Sequence, residues 1–119
     1  MSILSTILTT VVALEFFYIF YIQTIKTTSS TTSRIFNMNQ NELKQKSLNT
    51  LLKNQGVYNG LIGLGLLYST FFSTASLEIT RLILIYIILV ALYGSITSSR
   101  KIILTQGGPA IIALISTVF

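Results

Sequence analysis

The chain has 119 residues, of which 51% are hydrophobic and only 9% are charged, whereas a soluble globular domain carries roughly a quarter charged residues. This composition predicts a membrane protein. The chain contains no His, Cys or Asp, which excludes a thiolate nucleophile, a Ser-His-Asp triad and a zinc site built from the usual ligands. We therefore expect no metal, no cofactor and no enzymatic activity.

Four apolar runs along the chain predict four membrane spans. The first would extend about 34 Å as a helix, enough to cross a hydrocarbon core of about 30 Å. Four antiparallel helices with short connections predict an all-α fold, a four-helix transmembrane bundle in a single domain over residues 1–119. The predicted spans are 3–25, 51–72, 79–97 and 102–118.

The segment 26–50 separates the first two spans. It is rich in Thr, Ser and Asn, and residues 26–41 show no helical apolar period, so the sequence predicts a polar loop. Apolar residues return at Leu43, which predicts that the second helix begins outside the membrane, with Asn41 as its N-cap and Glu42 at the positive end of the helix dipole.

The basic residues predict the orientation of the chain, because Lys and Arg near the ends of spans are retained in the cytoplasm. Of the eight basic residues, only Arg81 lies on the opposite side of the membrane from the others. We therefore expect both termini outside and the 26–50 segment inside. The same basic face could attract anionic lipid headgroups, but its orienting role already explains the charge, which is too sparse to predict nucleic-acid binding. The remaining basic residues are Lys26, Arg34, Lys44, Lys46, Lys53, Arg100 and Lys101.

One acid, Glu15, lies near the middle of the first span, about 15 Å of helix before Ile25. An acid at that depth costs roughly 2.5 kcal/mol or more and usually faces a bundle interior or a water-filled cavity. Unless the span is misplaced, two interpretations stay open. Glu15 is either a protonated side chain that bonds a neighbouring helix, or a site for a proton or ligand.

The second helix carries a glycine stripe, Gly56, Gly60 and Gly63, along which another helix can approach closely. Gln55 and Asn59 share a different face of this helix. If the helix enters the hydrocarbon near Leu51, Asn59 lies about 12 Å deep, near the level of Glu15. An amide there can donate to a carboxylate or accept from a carboxylic acid.

Polar side chains collect in the cytoplasmic half of the predicted bundle. This distribution predicts a cytoplasm-facing pocket rather than a through-pore, although a polar core filled by its own side chains would give the same pattern. Gly94 and Pro109 are further predicted packing positions, and Pro109 should kink the fourth helix or delay its start. The candidate ligand- or proton-binding residues are Glu15, Tyr18, Gln55, Tyr58, Asn59, Tyr93 and Gln106.

Three stretches resemble the motif set of domain-of-unknown-function family 1304, which comprises small four-helix integral membrane proteins of bacteria and some fungi. They are ALEFFYIFYIQ (13–23), NQGVYNG (54–60) and LYGSITSSRKIILTQGGPAIIAL (92–114). The resemblance implies the fold but no activity. Phe16 stands where many members have His, and Gln23 stands where they have a second acid. The resemblance therefore implies neither a His-assisted nor a two-carboxylate proton relay in this chain. The matching positions are Glu15, Tyr18, Asn54, Gln55, Tyr58, Asn59, Gly60, Tyr93, Gly94, Lys101, Gln106 and Pro109.

The leading interpretation is a multi-pass protein of the cell membrane that binds or transports a small molecule through a pocket around Glu15. The alternative is a structural or accessory protein that forms a homo-oligomer or docks a membrane partner through its glycine stripe. Acid–base catalysis by Glu15 with Tyr18 or Tyr58 ranks third, because no nucleophile has an evident base. The expected partners are membrane lipids, a small molecule and a second copy of the chain.

Overall fold

The computed structural model describes residues 1–97 and 105–119. All regular secondary structure in these residues is helical, as the sequence predicts. Helix α1 runs directly into a π-helical turn, Tyr21–Ile25. The α-helices are α1 (Ile3–Phe20), α2 (Ser30–Phe36), α3 (Gln40–Leu43), α4 (Lys46–Phe71), α5 (Ser76–Thr97) and α6 (Gly107–Ser116).

Two described helical stretches, Ile3–Ile25 and Ser76–Thr97, are long and apolar enough to cross a membrane. Helix α4 is not among them, because Asn54, Gln55 and Asn59 make its first half polar. Helix α6 is apolar but has only 10 residues. The predicted start of the fourth span at residue 102, together with Arg100 and Lys101, lies outside the described residues.

The prediction of a polar loop up to residue 41 is wrong, because capping side chains form two short helices there. The Ser29 side chain accepts a hydrogen bond from the Thr32 N–H at the start of α2. Asn37, with a φ of 53°, ends that helix in the left-handed conformation that Asn tolerates. The predicted N-cap at Asn41 is also wrong: Asn39 caps α3 by accepting from the Asn41 N–H at 2.8 Å.

The chain divides into two compact units, residues 14–63 and residues 1–13 with 64–119. In the second of these units, α5 packs against α6. Arg81 of α5 donates to the Thr117 carbonyl at 2.7 Å, just beyond the end of α6. Two buried hydroxyls, Ser69 Oγ of α4 and Thr80 Oγ1 of α5, share a hydrogen bond of 2.8 Å. Side-chain bonds therefore join three helices of this unit.

The unit of residues 14–63 contains the π-helical turn, α2, α3 and the first part of α4. Its core includes Ile22, Leu43 and Leu52. Helix α2 contacts both α3 and the π-helical turn. Most of the residues that the sequence singled out lie in this unit, so it holds the candidate functional site.

Candidate functional site

The π-helical turn gives the end of α1 an irregular backbone. The Lys26 N–H donates to the Tyr21 carbonyl, five residues earlier, at 2.9 Å. Hydroxyl groups bond the carbonyls around it: Thr27 donates to the Gln23 carbonyl at 2.6 Å, and the Thr32 hydroxyl lies 2.8 Å from the carbonyl of Ile22. Single π-helical turns occur often at functional sites, and this one projects Gln23 and Thr24 toward α4.

Two pairs of residues join the π-helical turn to α4. The Asn59 side-chain amide donates to Gln23 Oε1 at 2.7 Å, and both side chains are buried. The Thr24 hydroxyl donates to the Lys53 carbonyl at 2.9 Å, while the Lys53 ammonium donates to the Thr24 carbonyl at 3.1 Å. Together with Gly56, which lies between Lys53 and Asn59 on α4, these residues are called the π-turn cluster below.

Glycine permits the close approach of α4 to this turn. A Cβ atom at Gly56 would collide with Thr24 Oγ1 and lie 3.0 Å from Gln23 Cβ and 3.1 Å from the Thr24 nitrogen. A Cβ atom at Gly60 would lie 3.1 Å from the Phe20 ring. The face of α4 that carries these two glycines is therefore occupied by the chain's own residues.

Glu15, one and a half turns before the π-helical turn, is half-buried in α1. Its Oε1 atom is buried and has no hydrogen-bond partner within residues 1–97 and 105–119. The bonds to Glu15 expected of the Gln55 or Asn59 amide are not formed among the described residues, because Asn59 bonds Gln23 and Gln55 is exposed. A buried oxygen without a donor costs free energy and calls for an explanation in terms of function, water or a bound group.

The other predicted residues are dispersed. Tyr18, Tyr58 and Tyr93 are 49%, 65% and 69% exposed, so their phenols do not line an interior. Gln106 is half-buried at the N-cap of α6, where its side chain makes no capping bond. Of the remaining packing positions, Gly63 is buried, and Gly94 and Pro109 are half-buried.

Sequence reasoning missed three members of the π-turn cluster: Gln23, Thr24 and Lys53. Gln23 did carry a signal, because it is an amide inside an apolar run, as Asn59 is, and two such amides satisfy each other when buried. Nothing in the sequence signalled the reciprocal bonds of Thr24 and Lys53, because both involve main-chain carbonyls.

A surface depression and the acidic side chains are the next candidates for a site. An open depression of about 250 Å³ is lined by Met1 and residues 74–78. No group of three or more His, Cys, Asp or Glu side chains comes together as a metal site would require, within residues 1–97 and 105–119. Of the described polar groups, the π-turn cluster and the Glu15 carboxyl therefore remain the main candidates for a functional role.

The chain belongs to the family described as protein of unknown function (DUF1304), whose model matches residues 10–118. This match confirms the resemblance inferred from the three motif stretches. The chain is also 68% identical to the uncharacterized protein YpaA of Lactococcus lactis subsp. lactis (strain IL1403) over 119 residues, which is 100% of both chains. No solved structure matches the chain.

Proposed function

We propose that this DUF1304 member is an integral membrane protein in which the Glu15 carboxyl binds an exchangeable proton or a small molecule, without enzymatic activity. The proposed topology has four spans and both termini outside, with the π-turn cluster near the cytoplasmic side. The buried Glu15 oxygen, which has no partner in the part of the chain that the structure describes, is the observation that carries the proposal.

Exposure of the apolar helices supports the placement in a membrane. In the most apolar part of Ile3–Ile25, only 33% of the residues are buried inside the protein, and in that of Ser76–Thr97 only 22% are buried. The core helix of a soluble protein would be largely buried, since large contiguous apolar surfaces are rare on soluble monomers. Lipid chains would cover these surfaces at no cost.

The surroundings of Glu15 support the proposal of a proton or ligand site there. The residue lies about 18 Å along the helix from Ile3 and about 15 Å from Ile25, near the middle of that span. Acids at such depth usually face an interior or a water-filled cavity and mark proton or substrate pathways. Its Oε1 atom lacks a partner among the described residues, so protonation would remove its charge, and a water molecule or a bound cation would supply the missing contact.

The alternative is a structural or accessory protein that binds a second copy or a membrane partner through its glycine stripe. Gly56 and Gly60 are already packed against Thr24 and Phe20 of the same chain. A partner on this face would have to displace those contacts. The packing therefore favours a ligand site at Glu15 over docking at the glycine stripe.

Ligand-induced thermal stabilisation of the purified protein tests the proposal, because binding to the folded state raises its apparent stability, by about 2.7 kcal/mol at a hundredfold excess over Kd. The probes are tetraphenylphosphonium, a hydrophobic cation, and a neutral aromatic compound of similar size. A cation binds the carboxylate rather than the carboxylic acid, so the stabilisation by tetraphenylphosphonium should increase as pH rises. Glu15→Gln should abolish that pH dependence while the protein stays folded.

Glu78→Gln is the matched control, because Glu78 is an exposed acid in the first turn of α5. It should leave the pH-dependent stabilisation as in the wild type. The proposal is contradicted if no probe stabilises the protein in a manner that depends on both pH and Glu15, and if infrared difference spectra show the carboxyl protonated over the whole accessible pH range. Glu15 would then be a structural acid.

A further inference from the structure

The connection between α1 and α4 is an ordered surface rather than a free loop. The Thr32 side chain is fully buried, and its hydroxyl lies 2.7 Å from the Lys26 carbonyl. Gln40 of α3 donates to the Thr28 carbonyl at 3.0 Å, and Asn49 of α4 donates to the Leu43 carbonyl at 3.1 Å. These bonds hold α2 and α3 against the π-helical turn and the start of α4.

This ordered connection carries a concentrated positive charge. Residues 26–53 contain five basic side chains and one acid, Glu42, which gives a net charge of +4. All five basic side chains are exposed. Beside Arg34, Ile35 is 48% exposed, outside every predicted span. Cations next to an exposed apolar side chain are typical of segments that lie at the membrane interface. The basic residues are Lys26, Arg34, Lys44, Lys46 and Lys53.

We infer that residues 26–53 form a binding surface for the anionic phospholipid headgroups of the cytoplasmic leaflet. The inference rests on the membrane placement in the proposed function but not on the role of Glu15. Orientation by positive charge requires only that basic residues be present in the connection. In this connection the cations are exposed and lie on helices or directly after them, which goes beyond that requirement and suits contact with phosphate groups.

Lipid retention measures this binding directly. The protein is reconstituted in vesicles of equal phosphatidylglycerol and phosphatidylcholine, extracted in mild detergent, and analysed for the ratio of the two lipids that stay bound. The wild type should retain phosphatidylglycerol preferentially. Lys44→Gln with Lys46→Gln should lower that preference by about fivefold for each lysine at low salt, and the preference should fall as the salt concentration rises.

Two controls separate charge from structure. Lys44→Arg with Lys46→Arg keeps both charges and should retain the wild-type preference. Glu42→Gln removes the one acid of the surface and should increase it. A wild type that retains the two lipids equally, or a preference that the double glutamine variant leaves unchanged, would overturn the inference.

Carbonate extraction of the vesicles distinguishes a failure of the lipid-surface inference from a failure of the membrane placement. A protein that remains in carbonate-washed vesicles without preference for phosphatidylglycerol refutes the lipid surface alone. A protein released by carbonate refutes the membrane placement on which this lipid surface rests.

Discussion

Replacement of Gly56 by Ala tests the close packing of α4 against the π-helical turn. The added Cβ atom would collide with Thr24 Oγ1 and lie 3.1 Å from the Thr24 main-chain nitrogen. The hydroxyl cannot move cheaply, because Thr is stiff at χ1 and Thr24 Oγ1 donates to the Lys53 carbonyl at 2.9 Å. The main chain must therefore shift, or this hydrogen bond must break.

The expected loss of stability follows from three contributions. Overpacking costs typically about 1–3 kcal/mol, and the loss of the Thr24 hydrogen bond costs about 1 kcal/mol more. Ala is favoured over Gly within a helix by about 1 kcal/mol, which offsets part of this. The free energy of unfolding should fall by about 1–3 kcal/mol, and the melting temperature by about 4 °C for each kcal/mol in a chain of this size.

Thermal unfolding in detergent provides the assay, with Gly65→Ala in the same helix as the matched control. Among the described residues, a Cβ atom built at Gly65 meets only Ile83 Cδ1, at the ordinary contact distance of 3.4 Å, so that variant should melt at or above the wild-type temperature. Thr24→Ala removes the colliding oxygen, so Gly56→Ala should cost less in that background than in the wild type. A Gly56→Ala protein that melts within about 1 °C of the wild type would refute the packing described for this turn.

Asn59→Leu should lower the free energy of unfolding by about 1–3 kcal/mol, because Gln23 Oε1 loses its buried donor. Adding Gln23→Leu should recover stability in the same melt, and continued instability of the double variant would contradict this pairing. Arg81→Gln should lower the melting temperature and speed proteolysis of the carboxyl end, since Arg81 bonds Thr117 beyond α6; unchanged digestion would argue against that role. On intact cells, an impermeant thiol reagent should label Thr74→Cys but not Ser30→Cys, and the opposite result would reverse the topology.

Composition alone predicted the all-helical fold class, and motif spacing alone identified the family. A charged fraction of 9% and long apolar runs favour helices, because the main-chain groups of an apolar helix bond within the segment itself. The stretch NQGVYNG and the two others were sufficient to identify the family. Such features depend on neighbours in the sequence, so they can be read without the fold.

The short helices of residues 26–50 show where sequence patterns fail. Neither α2 nor α3 has an apolar period, yet Ser29 and Asn39 cap them with side-chain bonds. An N-cap requires particular backbone angles at one residue, and several Asn residues in this stretch could adopt them equally well. The sequence therefore does not distinguish a cap at Asn39 from one at Asn41. Packing of Thr32 against the end of α1 helps select the observed arrangement.

The partners of the polar side chains were decided only by the tertiary structure. The sequence placed Asn59 at the depth of Glu15, but the π-helical turn shifts the residues after Phe20 around the helix axis, and Gln23 meets Asn59 instead. A π-helical turn closes its hydrogen bond over one more residue than an α-helical turn, and no pattern in the sequence predicted it. The turn places Gln23 against Asn59, and the Glu15 Oε1 atom has no partner among the described residues.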